Sequence, residues 1–185
     1  MRIVCFGDSN TYGFDPRGYL DDRYENCWPE LLALHTGWEV TNAGMNGRTI
    51  PRHVPDWILN AYQSTDCFLV MLGTNDLLQG ASALDTARRM ESFLTQIIPH
   101  CGDLLLVAPP TMQRGAWVST ADLVTESIRL MEEYRALAQK LNIAFADTRD
   151  WNIALAFDGV HFTQEGHHTF AAQMEKQIQK HLPFL

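Results

Sequence analysis

The sequence predicts a doubly wound α/β sandwich, on two observations. Short β-type runs alternate along the chain with longer helical patterns, the order of a parallel sheet joined by right-handed crossovers. Several of those runs are almost continuously apolar, as strands covered by helices on both faces must be. No Gly/Ser/Pro-rich linker, internal repeat or low-complexity tract interrupts the 185 residues, so one domain over residues 1–185 is expected.

The strands are expected at residues 2–6, 39–42, 67–72, 104–108 and 143–146, with the first, third and fourth as the apolar runs. The clearest helix covers 83–98, where Leu84, Ala87, Met90, Leu94 and Ile97 recur at helical spacing and Ser82 with Asp85 resembles a capping arrangement. A second covers 122–141, with Val124, Ile128, Met131, Ala138 and Leu141 on one stripe. A third covers about 164–181 behind Thr163 as N-cap. Weaker patterns span 29–35, closed by Gly37, and 53–62. Trp28, ahead of Pro29, reads as a core aromatic where its helix begins.

Composition excludes several classes. Fourteen Lys/Arg against 22 Asp/Glu give a net charge of −8. An acidic chain without a Lys/Arg cluster is poorly built to hold a phosphate backbone or an anionic membrane, so neither is an expected partner. The longest apolar stretches fall far short of the roughly 20 residues of a membrane span. Gly7-Asp8-Ser9-Asn10 follows the first apolar run at once, leaving no room for a signal peptide, and a cytoplasmic location is expected. Cys5, Cys27, Cys67 and Cys101 lie far apart with no Cys-x-x-Cys pair, too sparse for a disulfide framework and wrongly spaced for zinc.

In open parallel sheets, ligands bind beyond the carboxyl ends of the strands, where strand order reverses. There the sequence puts Gly7-Asp8-Ser9-Asn10-Thr11-Tyr12-Gly13, then Asn42-Ala43-Gly44-Met45-Asn46-Gly47-Arg48-Thr49, then Gly73-Thr74-Asn75-Asp76, and last Asp158-Gly159-Val160-His161. Each loop alone reads as an ordinary turn. Together they supply what acyl transfer needs. A serine hydroxyl is a weak nucleophile until a neutral imidazole takes its proton. A carboxylate holds that imidazole in one tautomer, and preorganised N–H groups stabilise the oxyanion. Asp158 and His161 share a Gly-containing turn, so the carboxylate can fold back on the ring. The Ser9 amide, the Gly44 backbone and the Asn75 side chain are available donors.

These four blocks, in this order, resemble those of SGNH hydrolases, also called GDSL-type esterases. Phe162-Thr-Gln-Glu-Gly166-His167 continues the last block in the same manner, so the likeness spans residues 7–167. It implies a flavodoxin-like, three-layer α/β/α sandwich on a five-stranded parallel sheet. It also implies Ser9 as nucleophile, His161 as general base and then acid, and Asp158 as its orienting partner. The Ser9 amide, Gly44 amide and Asn75 side chain would form the oxyanion hole, with no cofactor and no metal. One departure is Asn10, which stands where the family's name has leucine and leaves acyl preference open, because that residue follows the nucleophile and is placed to touch substrate. Gly-x-Ser-x-Gly is absent, against an α/β-hydrolase fold.

The expected activity is hydrolysis of carboxylic esters with short acyl or acetyl groups, on a small-molecule substrate. Thioester or lysophospholipid hydrolysis is the alternative within the family. A metal-dependent phosphoesterase built on Asp8, Asn75, Asp76, Asp158 and His161 is a more distant one, short of histidines. A non-catalytic binding domain is a third. Asp8 and Asp76 are expected to orient loops through backbone N–H groups, and His35, His53, His100, His168 and His181 to be surface or packing residues. Tyr12, Trp117, Trp151 and Phe157 are aromatic candidates for a pocket, bordered by the irregular 114–122 segment. Arg88-Arg89 and Glu132-Glu133 read as solvated helix faces. A symmetric homo-oligomer is compatible with an acidic domain bearing exposed aromatics.

Overall fold

The computed structural model describes residues 1–18, 22–56, 58, 65–100 and 102–181. The strands are β1 (Arg2–Gly7), β2 (Glu39–Gly44), β3 (Cys67–Met71), β4 (Asp103–Val107) and β5 (Ala144–Ala146). They form one five-stranded sheet in the order β2-β1-β3-β4-β5, parallel throughout. The helices are α1 (Ser9–Tyr12), α2 (Trp28–Thr36), α3 (Thr74–Leu78), α4 (Ala83–Ile97), α5 (Ala121–Leu141) and α6 (Gln164–His181). Strand order reverses beside β1, since the chain steps from β1 to β2 on one side and then crosses to β3 on the other. The carboxyl ends of β1 and β3 therefore border the switch point where such sheets bind ligands.

Alternate residues of each strand feed two cores. Val4, Phe6, Phe68, Val70, Leu104 and Leu106 pack with α4 and α5 on one face. Ile3, Cys5, Cys67, Leu69, Leu105 and Val107 pack with α2 and α6 on the other. This is the expected α/β/α sandwich.

Helix ends follow their capping chemistry. The Asp85 amide donates to the Ser82 side chain at the start of α4, and the Leu123 amide to Thr120 at the start of α5. The Gly166 amide donates to Thr163 Oγ1 at 3.0 Å as α6 begins. Gly37 closes α2 in the left-handed conformation, at φ 71°.

Two details of the expected core faces need correction. Leu84 and Ile128 are exposed, at 46% and 47%. The buried stripe of α5 instead runs through Ser127, Leu130, Met131, Tyr134, Leu137 and Ala138. Trp28 is fully buried, as expected, and Trp151 belongs to the core, edge-on to Phe170, and not to a pocket. The short α3, which has no periodic pattern to betray it, is an addition to the predicted elements. Of the expected 53–62 helix, residues 57 and 59–62 lie outside the described residues, as does Cys101. Cys5, Cys27 and Cys67 are buried and form no disulfide. No helix among the described residues is long and apolar enough to cross a membrane.

Candidate active site

Ser9 stands at the start of α1, directly beyond the end of β1. Asp8 caps this short helix by accepting from the Asn10 amide at 3.0 Å, and Gly13 closes it at φ 95°. Strand and helix meet too tightly for a side chain at residue 7: a Cβ on Gly7 would lie 2.0 Å from Thr11 Oγ1. As the first helical residue, Ser9 has an amide with no carbonyl four residues back to bond, so it points outward at the positive end of the turn.

The last loop brings the histidine to it. His161 Nε2 lies 2.9 Å from Ser9 Oγ, across 152 residues of sequence. His161 Nδ1 lies 2.6 Å from Asp158 Oδ2. Asp158 Oδ1 accepts from the Val160 and His161 amides at 2.9 and 3.0 Å, so the turn itself aims the carboxylate. An ionised carboxylate only accepts, so Nδ1 carries the ring proton and Nε2 is left to accept from the hydroxyl. Burial alone would raise the Asp158 carboxyl. The hydrogen bonds from the His161 ring and from the two amides outweigh it and hold the carboxyl below its ordinary value.

Residues 113–117 run against this turn. Gln113 N–H donates to Gly159 O at 2.9 Å, and Trp117 N–H to Asp158 O at 3.0 Å. A Cβ on Gly115 would sit 2.4 Å from the Asp158 carbonyl carbon, so only glycine permits the approach. The contact seats Trp117 edge-on to His161 at 4.9 Å between ring centroids, with Phe14 on the same imidazole at 4.8 Å. Of the expected pocket aromatics, Trp117 thus borders the site. Phe157 is 65% exposed in the turn ahead of Asp158, where its carbonyl accepts from the Ala116 amide at 3.1 Å. Tyr12 lies under the Arg23 guanidinium.

The expected oxyanion donors are placed unequally. Asn75 sits in α3, beyond β3, and donates through Nδ2 to Arg48 O at 3.1 Å. Its second amide hydrogen remains available. The Gly44 amide does not: its single hydrogen is spent on Asn42 Oδ1 at 2.9 Å, which corrects the expectation for that residue. Gly44 lacks a side chain for another reason, since a Cβ there would lie 2.1 Å from the Tyr12 amide nitrogen of α1. The chain then turns, with Arg48 N–H donating to Met45 O at 3.2 Å and Gly47 in the left-handed region at φ 71°. Met45 N–H and Arg48 Nη1 both donate to Gly7 O, which draws this turn to the end of β1. The Gly47 amide is exposed and has no acceptor among the described residues. In the sequence Gly44 and Gly47 look alike as turn formers, and nothing there marks which amide is left free.

Asn10 is only 5% exposed, and its side-chain amide bonds the backbone on either side of His161. Asp76 accepts from the Ile50 amide at 3.1 Å and from Arg89 Nη1 at 3.0 Å, so it clamps a loop as expected. Arg89 is accordingly more than a solvated helix residue. His167 is wholly buried and accepts from the Trp28 amide at 3.3 Å; burial pushes its imidazole down to about 3, which keeps it neutral. No group of three or more His, Cys, Asp or Glu that could hold a metal occurs among the described residues.

Burial pushes the Asp8 carboxyl up to about 6, against the opposing influence of the Asn10 amide, His161 and Arg48. The folded chain therefore holds this proton more tightly than the unfolded one, whose carboxyl keeps its ordinary 3.8. The sign follows: Asp8 makes stability fall as pH rises from about 4 to about 6, and contributes no slope above that. Asp8→Asn retains the capping acceptor without the buried charge. It should raise stability at pH 8 by on the order of 2 kcal/mol and remove that slope. Denaturant titrations at pH 4.5 and pH 8 measure the effect, and an unchanged slope would contradict it.

The profile of the GDSL-like lipase/acylhydrolase family matches residues 5–169. The chain belongs to this family. Solved structures agree with that membership. A carbohydrate acetylesterase family member from Sinorhizobium meliloti superposes with a TM-score of 0.84 at 26% identity, covering 100% of each chain. An aryl esterase of M. smegmatis shares the fold at a TM-score of 0.84 and 24% identity, covering 98% of this chain and 99% of its own. No curated protein sequence matches the chain. As a member of the family the protein is a hydrolase of the esterase/acylhydrolase type.

Proposed function

We propose that this family member is a serine esterase that hydrolyses short-chain carboxylic esters through an acyl-enzyme. The observation that carries the reading is the continuous line Ser9 Oγ–His161 Nε2–Asp158, with contacts of 2.9 and 2.6 Å. Ser9 Oγ attacks the ester carbonyl carbon while His161 Nε2 takes the hydroxyl proton. Asp158 holds Nδ1–H and stabilises the imidazolium that forms. The C–O bond to the alcohol then breaks, and His161 returns the proton to the departing oxygen. Water repeats the sequence on the acyl-serine: His161 takes its proton, the hydroxide adds, and Ser9 leaves as the hydroxyl.

The tetrahedral oxygen carries a full negative charge and needs donors fixed in advance. The Ser9 amide and the second hydrogen of Asn75 Nδ2 are two. We assign the third to the Gly47 amide in place of Gly44, because Gly47 is free to donate and its turn is tied to Asn75 through Arg48 O. Asn75→Ala should lower kcat about 100- to 1000-fold, or about 3–4 kcal/mol of barrier. Steady-state kinetics on p-nitrophenyl acetate measures this, with a melting curve to separate loss of the Arg48 contact from loss of the donor. A tenfold or smaller loss would remove Asn75 from the oxyanion hole.

Apolar groups around the imidazole suit the acyl or aryl part of an ester. Trp117 and Phe14 flank the imidazole, and Trp117, Phe157 and Met45 leave apolar surface exposed around the site. The solved relatives described as an aryl esterase and a carbohydrate acetylesterase point the same way. The metal-centred alternative loses its ligands to other partners, since Asp76 is engaged by Ile50 and Arg89, and Asp158 by His161. The test is a panel of p-nitrophenyl acetate, butyrate and octanoate with acetyl-CoA, each run with and without EDTA. Turnover of the acetate and butyrate, unaffected by chelator, is expected. Loss of activity with EDTA, or turnover of the octanoate or thioester alone, would overturn the proposal.

A further inference from the structure

We propose that Asn10 is a positioning residue that sets where His161 stands relative to Ser9, by gripping the backbone on both sides of the histidine. The inference rests on the reading of Ser9 and His161 as nucleophile and base. Asn10 Nδ2 donates to Val160 O at 3.1 Å, and Phe162 N–H donates to Asn10 Oδ1 at 2.9 Å. A single side-chain amide thus bridges the residues before and after His161. Asn10 follows Ser9 directly on α1, so one short helix carries the hydroxyl and, at the next position, the grip on its partner.

The other backbone bonds of the histidine segment run elsewhere. Ala156 N–H donates to His161 O, and Thr163 N–H to Ala154 O, which secures the segment to its own hairpin and not to α1. Among the described residues, the Asn10 amide is therefore the hydrogen-bonded link between α1 and residues 160–162, apart from the Ser9–His161 contact itself. That contact is too weak a tether alone, because it must open whenever the serine is acylated. During that step the Asn10 bonds persist and hold the imidazole in place to activate water.

A primary amide serves both ends at any pH. Val160 O requires a donor, and Phe162 N–H an acceptor. Leucine has a similar volume but neither function, and would leave both backbone groups buried and unpaired. An ionised aspartate accepts from Phe162 and repels Val160 O, whereas a protonated one regains the donor.

The test uses Asn10→Leu and Asn10→Asp in the full chain, with kcat and KM for p-nitrophenyl acetate across pH and the rate of Ser9 labelling by a fluorophosphonate. Asn10→Leu should lower kcat and the labelling rate together, by about 100-fold, with KM little changed. For Asn10→Asp, the ratio of its kcat to that of the unaltered protein should climb as pH falls and the new carboxyl gains a proton. A change in KM and acyl-chain preference with kcat and labelling intact would overturn the proposal, and would make Asn10 a substrate contact. If the leucine variant does not fold, the aspartate ratio decides: a ratio that stays level or falls with acidification overturns it. An unaltered protein that neither turns over ester nor takes the label at Ser9 would instead overturn the esterase reading, and this proposal with it.

Discussion

Ser9→Ala should lower kcat on p-nitrophenyl acetate by about a million-fold while the protein still folds. The size follows from what is removed. Without the hydroxyl there is no acyl-enzyme, and His161 can only activate water from a geometry built for another atom. The small residual rate would come from the oxyanion donors, which remain in place. The fold should be indifferent because the Ser9 side chain bonds only His161 Nε2 among the described residues, while α1 is held by Asp8 and Gly13. Kinetics and a thermal melt on the same preparation check both halves. A residual rate within tenfold of the unaltered protein would remove Ser9 as nucleophile.

Asp158→Asn should cost about ten-thousand-fold in kcat, through the wrong tautomer. Oδ1 of the new amide can still accept from the Val160 and His161 amides, so the turn keeps its shape. The second atom changes from acceptor to donor. It faces His161 Nδ1, which must then give up its hydrogen, and the ring proton moves to Nε2. A protonated Nε2 presents a hydrogen to Ser9 Oγ and cannot take one from it. The substitution also has a stability signature. The native carboxyl is held below its ordinary value, so it stabilises the fold above the usual carboxylate range and that contribution disappears as pH falls through the folded value. The variant should lack this part of the acid dependence. Activity within about tenfold of native, at any pH between 6 and 9, would contradict the assignment of Asp158.

Much of this was legible in the sequence, for identifiable physical reasons. A strand buried on both faces must be apolar throughout, so β1, β3 and β4 stand out. The edge strand β2 runs two residues beyond its expected end, since half-exposed strands carry mixed residues. The errors at Leu84 and Ile128 arose because periodicity marks which residues share a helix face but not which face meets the sheet. At the site, the convergence of Ser9, His161 and Asp158 was readable because their loops lie at the carboxyl ends of strands that the topology brings to one sheet edge. The donors were harder. Which backbone N–H is free depends on what its neighbours accept: the Asn42 side chain takes the Gly44 hydrogen and leaves that of Gly47. The grip of Asn10 is hidden from the sequence for the same reason, as its partners Val160 and Phe162 offer backbone atoms 150 and 152 residues away.

The pairing of Ser9 with His161 is tested most directly by peptide-resolved mass spectrometry after exposure to a fluorophosphonate, run on the unaltered protein and on His161→Ala. One adduct, on Ser9, should form rapidly in the first and be strongly slowed in the second, because the hydroxyl reacts only when a base takes its proton. An adduct on a different residue, or equal labelling rates with and without the imidazole, would contradict it.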